Sequence, residues 1–167
     1  MSLYDKLEQI NTFVFDVDGV LTDGTVLVTE EGYLLRKMNT RDGQGIKTAL
    51  DLGFRVAIIT KGTSDGVRKR FETLGVMHIY DKVQDKNVAL SDLVLKLSIS
   101  PHNILYMGDD LPDLAVIMNV GVFTCPKDAA VDVLEKAHYI SPNYGGQGCV
   151  RDIIEKVLRL QGKWPEF

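Results

Sequence analysis

The sequence predicts an α/β fold, a Rossmann-like parallel sheet with helices on both faces and a β-hairpin inserted after the first strand. Three observations lead there. Short runs rich in Val, Ile and Phe alternate with segments of helical period, and each apolar run ends in polar or glycine-rich sequence. The third is a stretch after the first run that has turn residues and no helical stripe.

Taken in order, the first predicted strand covers residues 12–16, with Phe13, Val14 and Phe15 as its buried run and Asp16 at its carboxyl end. Residues 25–38 read as two strands around Glu31-Gly32, a turn signal, and make the hairpin. Residues 45–52 put Ile46, Ala49 and Leu50 on one helical face. Residues 64–74 do the same with Val67, Phe71 and Leu74, and Gly53 and Gly75 are the expected stops. Strands are expected at 55–60 and 77–80. A helix over 87–97 is closed by Pro101, which cannot continue it. Strands at 104–107 and 121–124 follow, and a last helix starts near Cys149. In a parallel sheet the carboxyl ends of these strands share one edge. With no internal repeat and no Pro/Ser-rich linker, residues 1–167 are read as a single domain.

Composition narrows the function classes. A formal net charge of −4 provides no basic footprint, so nucleic acid is not expected as a partner. The two cysteines, Cys125 and Cys149, lie in no spacing that suggests a disulfide framework or a zinc site. The first ten residues carry Asp5, Lys6 and Glu8 where a signal peptide needs an apolar core. No apolar run approaches the ~20 residues of a membrane span. The expected location is the cytoplasm, away from membranes.

Four groups at successive strand ends carry chemistry. The first is Asp16-Val17-Asp18-Gly19. Side chains two apart on an extended chain point the same way, so Asp16 and Asp18 face one site and repel each other unless a cation divides their roles. Magnesium, which prefers oxygen ligands, suits that task. The second group is Thr60, whose hydroxyl and following N–H groups suit phosphate oxygens. The third is Lys86, at the opening of a helix, where its charge offsets a phosphoryl group. The fourth is Gly108-Asp109-Asp110-Leu111-Pro112-Asp113, a second cluster of carboxylates; Asp110 is also well placed to cap a helix.

These four groups, in this order and across nearly the whole chain, resemble the motifs of the haloacid dehalogenase superfamily. The resemblance implies that Asp16 is the phosphorylated nucleophile, that Asp18 is general acid and base, and that Thr60 and Lys86 hold the phosphoryl group. It also implies a Mg2+ cofactor held by Asp16, the backbone carbonyl of Asp18, and Asp109. Asp110 then stands outside the ligands and Asp113 is a further acidic neighbour. An unperturbed Asp has a pKa of about 3.9, so Asp16 is expected to be ionised at neutral pH without help.

Only about 40 residues separate Asp18 from Thr60, and the hairpin and one helix fill them, so the chain is similar to the capless members of the superfamily. The hairpin, Asn39-Thr40-Arg41-Asp42-Gly43 and the later Gly-Gly-Gln-Gly-Cys-Val-Arg stretch resemble capless phosphatases of lipopolysaccharide sugar synthesis. That implies a phosphorylated eight-carbon 3-deoxy sugar acid as substrate, with Asn39, Thr40, Arg41, Asp42, Gly43 and Arg70 in contact with it. It implies a homotetramer, and Val26, Val28, Leu34 and Leu35 on two edge strands fit pairing between subunits. On physical grounds, Arg68 and Arg70 can each grip a carboxylate by two hydrogen bonds. One position departs from the pattern. Such phosphatases commonly read Thr-Gly-Arg where this chain has Thr60-Lys61-Gly62, so the arginine position is glycine and Lys61 is the nearby charge. Alternatives are a phosphatase for a nine-carbon sialic-type sugar phosphate and a non-catalytic assembly domain.

Overall fold

The computed structural model describes residues 1–166. In chain order the elements are α1 (Leu3–Glu8), β1 (Thr12–Phe15), the hairpin strands β2 (Leu27–Val28) and β3 (Leu34–Leu35), α2 (Thr40–Asp51), β4 (Arg55–Ile59), α3 (Asp65–Leu74), β5 (His78–Tyr80), α4 (Lys86–Leu97), β6 (Ile104–Met107), β7 (Val122–Cys125), α5 (Val131–Leu134), β8 (Tyr139–Ile140) and α6 (Cys149–Leu160). Two 3-10 segments, Pro101–Asn103 and Leu111–Asn119, flank β6.

Six strands form one parallel sheet in the order β5-β4-β1-β6-β7-β8. Strand alternation divides the core into two layers. Phe13, Phe15, Val56, Ile58, Leu105 and Met107 face α1, α2, α3 and α6, while Val14, Ala57, Ile59, Ile104 and Tyr106 face α4, α5 and the Leu111–Asn119 segment. Because both faces are covered, the strands read as continuous apolar runs. The amphipathic α6 contributes Val150, Ile153, Ile154, Val157 and Leu158, all fully buried, each stabilising by about 1.5–3 kcal/mol. From β1 the chain moves outward to β4 and β5, then returns across β1 to β6. The order reverses there, and a crevice opens at the carboxyl ends of the central strands.

The hairpin is present as an antiparallel pair with Leu27 opposite Leu35 and Val28 opposite Leu34. Its two strands are only two residues long, and all four of these side chains are exposed. Gly32, at φ 86°, supplies the left-handed turn residue.

One helix boundary differs markedly from the sequence expectation. Helix α2 starts at Thr40, five residues early, because Asn39 caps it by accepting from the Arg41 N–H at 2.8 Å. Gly43 and Gly45 resemble loop residues in sequence, yet they lie inside this helix where a neighbour approaches closely. A Cβ on Gly45 would sit 3.3 Å from the Arg151 backbone of α6. The short α1, held by a capping box between Ser2 and Asp5, was not anticipated; the Leu111–Asn119 segment follows the helix cap expected at Asp110 but is 3-10.

Candidate active site

The loops after β1, β4, β5 and β6 bring Asp16, Asp18, Thr60, Lys86 and Asp109 into one cleft of about 230 Å³, which Gly62, Asp110 and Asp113 also line. Every residue expected to do chemistry is therefore at one place. Asp16 follows β1 directly, and its N–H donates to the Met107 carbonyl at 3.0 Å, which fixes the carboxylate at the sheet edge. A Cβ on Gly19, at φ 87°, would collide with the Asp109 carboxylate, so glycine there both makes the turn and leaves room for the acid.

Charge organises the floor. Lys86 is 3% exposed and its ammonium bonds Asp113 at 2.6 Å and Asp16 at 3.0 Å. Asp113, fully buried, also accepts from the Tyr106 hydroxyl at 2.6 Å and from the N–H groups of Asp109 and Asp110 at 3.1 and 3.2 Å. The sequence pointed to Asp113 only as an acidic neighbour; it is the hub of the floor. Asp110 caps the 3-10 segment through the Leu111 N–H at 2.8 Å.

The carboxylates of Asp16, Asp109 and Asp113 offer oxygens within 4.8 Å of one another. Burial pushes Asp16 up to about 7, with Asp113 adding to the rise and Lys86 opposing it. Burial likewise pushes Asp109 up to about 8, reinforced by Asp16 and Asp113. This corrects the expectation that Asp16 ionises as an unperturbed acid; the protein by itself supplies too little positive charge. Burial alone would lower Lys86, yet the Asp16 and Asp113 carboxylates outweigh it and hold the ammonium above its ordinary value. Asp109 Oδ1 is buried and has no hydrogen-bond partner. An all-oxygen donor set with excess negative charge and one unpartnered oxygen fits a hard divalent cation such as Mg2+.

The remaining predicted residues are spread around this cleft. Asn39, Thr40 and Arg41 line a neighbouring depression of about 500 Å³ with Asp23 and Gln147. Asp42 does not reach it, which corrects its expected contact with substrate. It is fully buried, and its carboxylate accepts from the N–H groups of Gly148 at 3.3 Å and Arg151 at 2.8 Å at the start of α6. Gly43 is buried too, and a Cβ there would meet Arg70 Nη2 at 2.6 Å, so it makes room for that guanidinium. Arg70 lines a groove of about 790 Å³ beneath the hairpin. Arg68 is occupied by Asp81 at 2.9 Å and by the Ile79 carbonyl at 3.3 Å, leaving Arg70 as the available arginine of α3. A residue that sequence reading passed over is Arg36, whose guanidinium pairs with Asp18.

Comparison with known proteins places these features in a family. The model of the haloacid dehalogenase-like hydrolases matches residues 67–153. The 3-deoxy-D-manno-octulosonate 8-phosphate phosphatases of Salmonella typhi and Escherichia coli K12 are 41% identical over 161 residues, 96% of this chain and 86% of theirs. The crystal structure of the Yersinia pestis phosphatase of the same name has a TM-score of 0.94 and 36% identity, covering 96% of this chain and 87% of that one. The Moraxella catarrhalis phosphatase, solved with a magnesium ion, a phosphate ion and a KDO molecule, has a TM-score of 0.92 and 34% identity, over 95% and 91% of the two chains.

Proposed function

The chain belongs to the haloacid dehalogenase-like hydrolase family, and from that membership we propose that it is a Mg2+-dependent phosphatase hydrolysing 3-deoxy-D-manno-octulosonate 8-phosphate to the free sugar acid and phosphate. The observation that carries this reading is the carboxylate cluster of buried Asp16 and Asp113 and half-buried Asp109, with Lys86 as its salt-bridge partner among the described residues and one unpartnered oxygen. Identity of 41% to phosphatases of that substrate supplies the sugar.

In this reading Asp16 attacks phosphorus and becomes an aspartyl phosphate as the bond to the sugar oxygen breaks. Asp18 gives that oxygen its proton, and then takes a proton from the water that cleaves the intermediate. Thr60 and Lys86 hold the phosphoryl oxygens. Asp16, the Asp18 carbonyl and Asp109 would hold Mg2+, since Asp113 is already engaged by Lys86 and Tyr106. The cation supplies the positive charge that lets Asp16 stay ionised next to a phosphate dianion. Arg70 and the depression around Asn39, Thr40 and Arg41 are where the sugar acid is received.

The exposed apolar hairpin supports a contact between subunits through that element, and the assembly we propose is a cytoplasmic homotetramer. Among the described residues no helix is long and apolar enough to cross a membrane.

The test is phosphate release with Mg2+ across a panel of sugar phosphates that includes the eight-carbon and nine-carbon acids. Asp16→Asn serves as blank, and its activity should drop on the order of 10⁴-fold or more. Preference for the eight-carbon acid is expected. Equal turnover across the panel would remove the substrate, and an active Asp16→Asn would remove the mechanism.

A further inference from the structure

We propose that Arg36, carried by the hairpin, is a positioning residue for Asp18, and that Gly62 is glycine because the Arg36 guanidinium occupies the space beside it. The inference rests on the reading of Asp18 as the acid that protonates the leaving oxygen.

The geometry is that of a fork. Arg36 Nε donates to Asp18 Oδ1 at 2.6 Å and Nη2 to Oδ2 at 3.2 Å, while Nη1 donates to the Leu34 carbonyl at 2.9 Å. Two parallel bonds fix both the place and the rotation of a carboxylate, which a single bond does not. The third anchors the fork to its own strand.

Exposure shows on which side the arginine stands. The Arg36 side chain is 6% exposed and that of Asp18 is 37% exposed. Arg36 therefore lies behind the carboxylate, and Asp18 keeps its open face toward the cleft. Arg36 lines the groove beneath the hairpin but not the cleft that holds Asp16 and Asp18, so it acts at the reacting centre through Asp18.

Gly62 completes the arrangement. A Cβ there would lie 3.1 Å from Asp18 Oδ2, 3.3 Å from Arg36 Nη2 and 3.4 Å from Thr60 Oγ1. The glycine has no positive φ, so its backbone makes no demand of its own; the demand comes from the Asp18 carboxylate together with the guanidinium packed on it. A side chain at position 62 and a guanidinium arriving from position 36 compete for one volume. Among the described residues, the Arg36–Asp18 pair is also the hydrogen-bonded side-chain link between the hairpin strands and the sheet domain. The direction of the catalytic carboxylate is thereby set by an element that is not part of the sheet.

A misplaced general acid harms an ester whose leaving group needs a proton, and spares one whose leaving group does not. The experiment compares kcat/KM, which reports the first phosphoryl transfer, for the sugar 8-phosphate and for p-nitrophenyl phosphate. Wild type, Asp18→Asn, Arg36→Ala and Arg36→Lys are measured. Arg36→Ala should lose about 10- to 100-fold on the sugar ester and stay within about threefold on the aryl ester, with part of the loss recovered in Arg36→Lys. Equal losses on both esters, or a gain on the sugar ester, would overturn the proposal. If Asp18→Asn shows the selective loss and Arg36→Ala does not, the Arg36 inference alone fails. If Asp18→Asn loses equally on both, the reading of Asp18 fails first. A second variant guards against disturbance of the hairpin. Gly62→Ala, whose Cβ would press on both the Asp18 carboxylate and the Arg36 guanidinium, should show a smaller selective loss that is reduced in an Arg36→Ala background, and a loss undiminished there would also count against the proposal.

Discussion

On the cleft floor, Asp16, Lys86 and Asp113 are each less than a tenth exposed, and all are joined to one another through the Lys86 ammonium. In the hairpin, Leu27, Val28, Tyr33, Leu34 and Leu35 stand 43–68% exposed on strands two residues long. The floor is specified by this chain alone, because each charge has a partner and each backbone segment is tied to a central strand. The hairpin is not, since an isolated two-stranded ribbon is marginal in water and its apolar side chains have no cover within the chain. The difference separates the reacting groups of the floor, which the sheet edge fixes, from the hairpin, which meets the site through the Arg36–Asp18 pair and leaves its apolar side chains exposed.

Removing the centre of the floor should have the largest effect. Lys86→Ala leaves Asp16 and Asp113 facing each other without a cation, and truncating one member of a buried ion network costs about 3–5 kcal/mol. In metal-free buffer at pH 8 we expect that loss in urea unfolding, together with loss of phosphatase activity. The destabilisation should shrink at pH 6, where the Asp16 carboxyl, already raised to about 7, takes up a proton. A variant as stable as wild type at pH 8 would show that the floor is not held by this charge.

The next effect sharpens the comparison by supplying the missing charge from outside. Asp16 and Asp109 are raised to about 7 and about 8. Between roughly pH 4 and pH 8 the folded protein therefore keeps protons that the unfolded chain has released, and this pair subtracts stability as the pH rises across that window. Mg2+ must displace those protons. The gain in melting temperature on adding Mg2+ to chelator-treated protein should be larger at pH 8 than at pH 6, with affinity differing by roughly tenfold or more. A gain independent of pH would contradict the assignment of these two carboxylates to the cation.

The smallest expected change in the fold lies in the hairpin. Val28→Glu with Leu34→Lys should dissociate the assembly in analytical ultracentrifugation. Each substitution is exposed in the single chain, so its own stability should move by no more than about 0.5 kcal/mol. An unchanged sedimentation coefficient would count against the proposed assembly through the hairpin.

The same contrast explains what was legible in the sequence. Strand runs such as Phe13-Val14-Phe15 and Ile104-Leu105-Tyr106-Met107 announce themselves because both faces of the sheet are covered. Asp16, Asp18, Thr60, Lys86 and Asp109 could be read from their positions at strand ends. Asp113 looked like one more acid, since nothing local tells that Tyr106, on the strand before it, aims a hydroxyl at it within the layer they share. Arg36 was hidden for a related reason: its partner lies 18 residues earlier, and a charged residue on an exposed ribbon normally faces water. Helix α2 was read five residues short because its first turns hold Gly43 and Gly45, poor helix formers kept there by Arg70 and α6.

Asp42 has a consequence for the way the polypeptide is made. Its carboxylate binds N–H groups 106 and 109 residues further along, on a helix whose apolar face completes one whole layer of the core. While a ribosome is still adding residues 149–160, β1 and α2 are already outside the exit tunnel with that layer uncovered. The layer that α6 covers closes only after residues 149–160 have emerged, and the loop after β1, whose Val20 carbonyl accepts from Gly146 and Cys149, takes its final packing then.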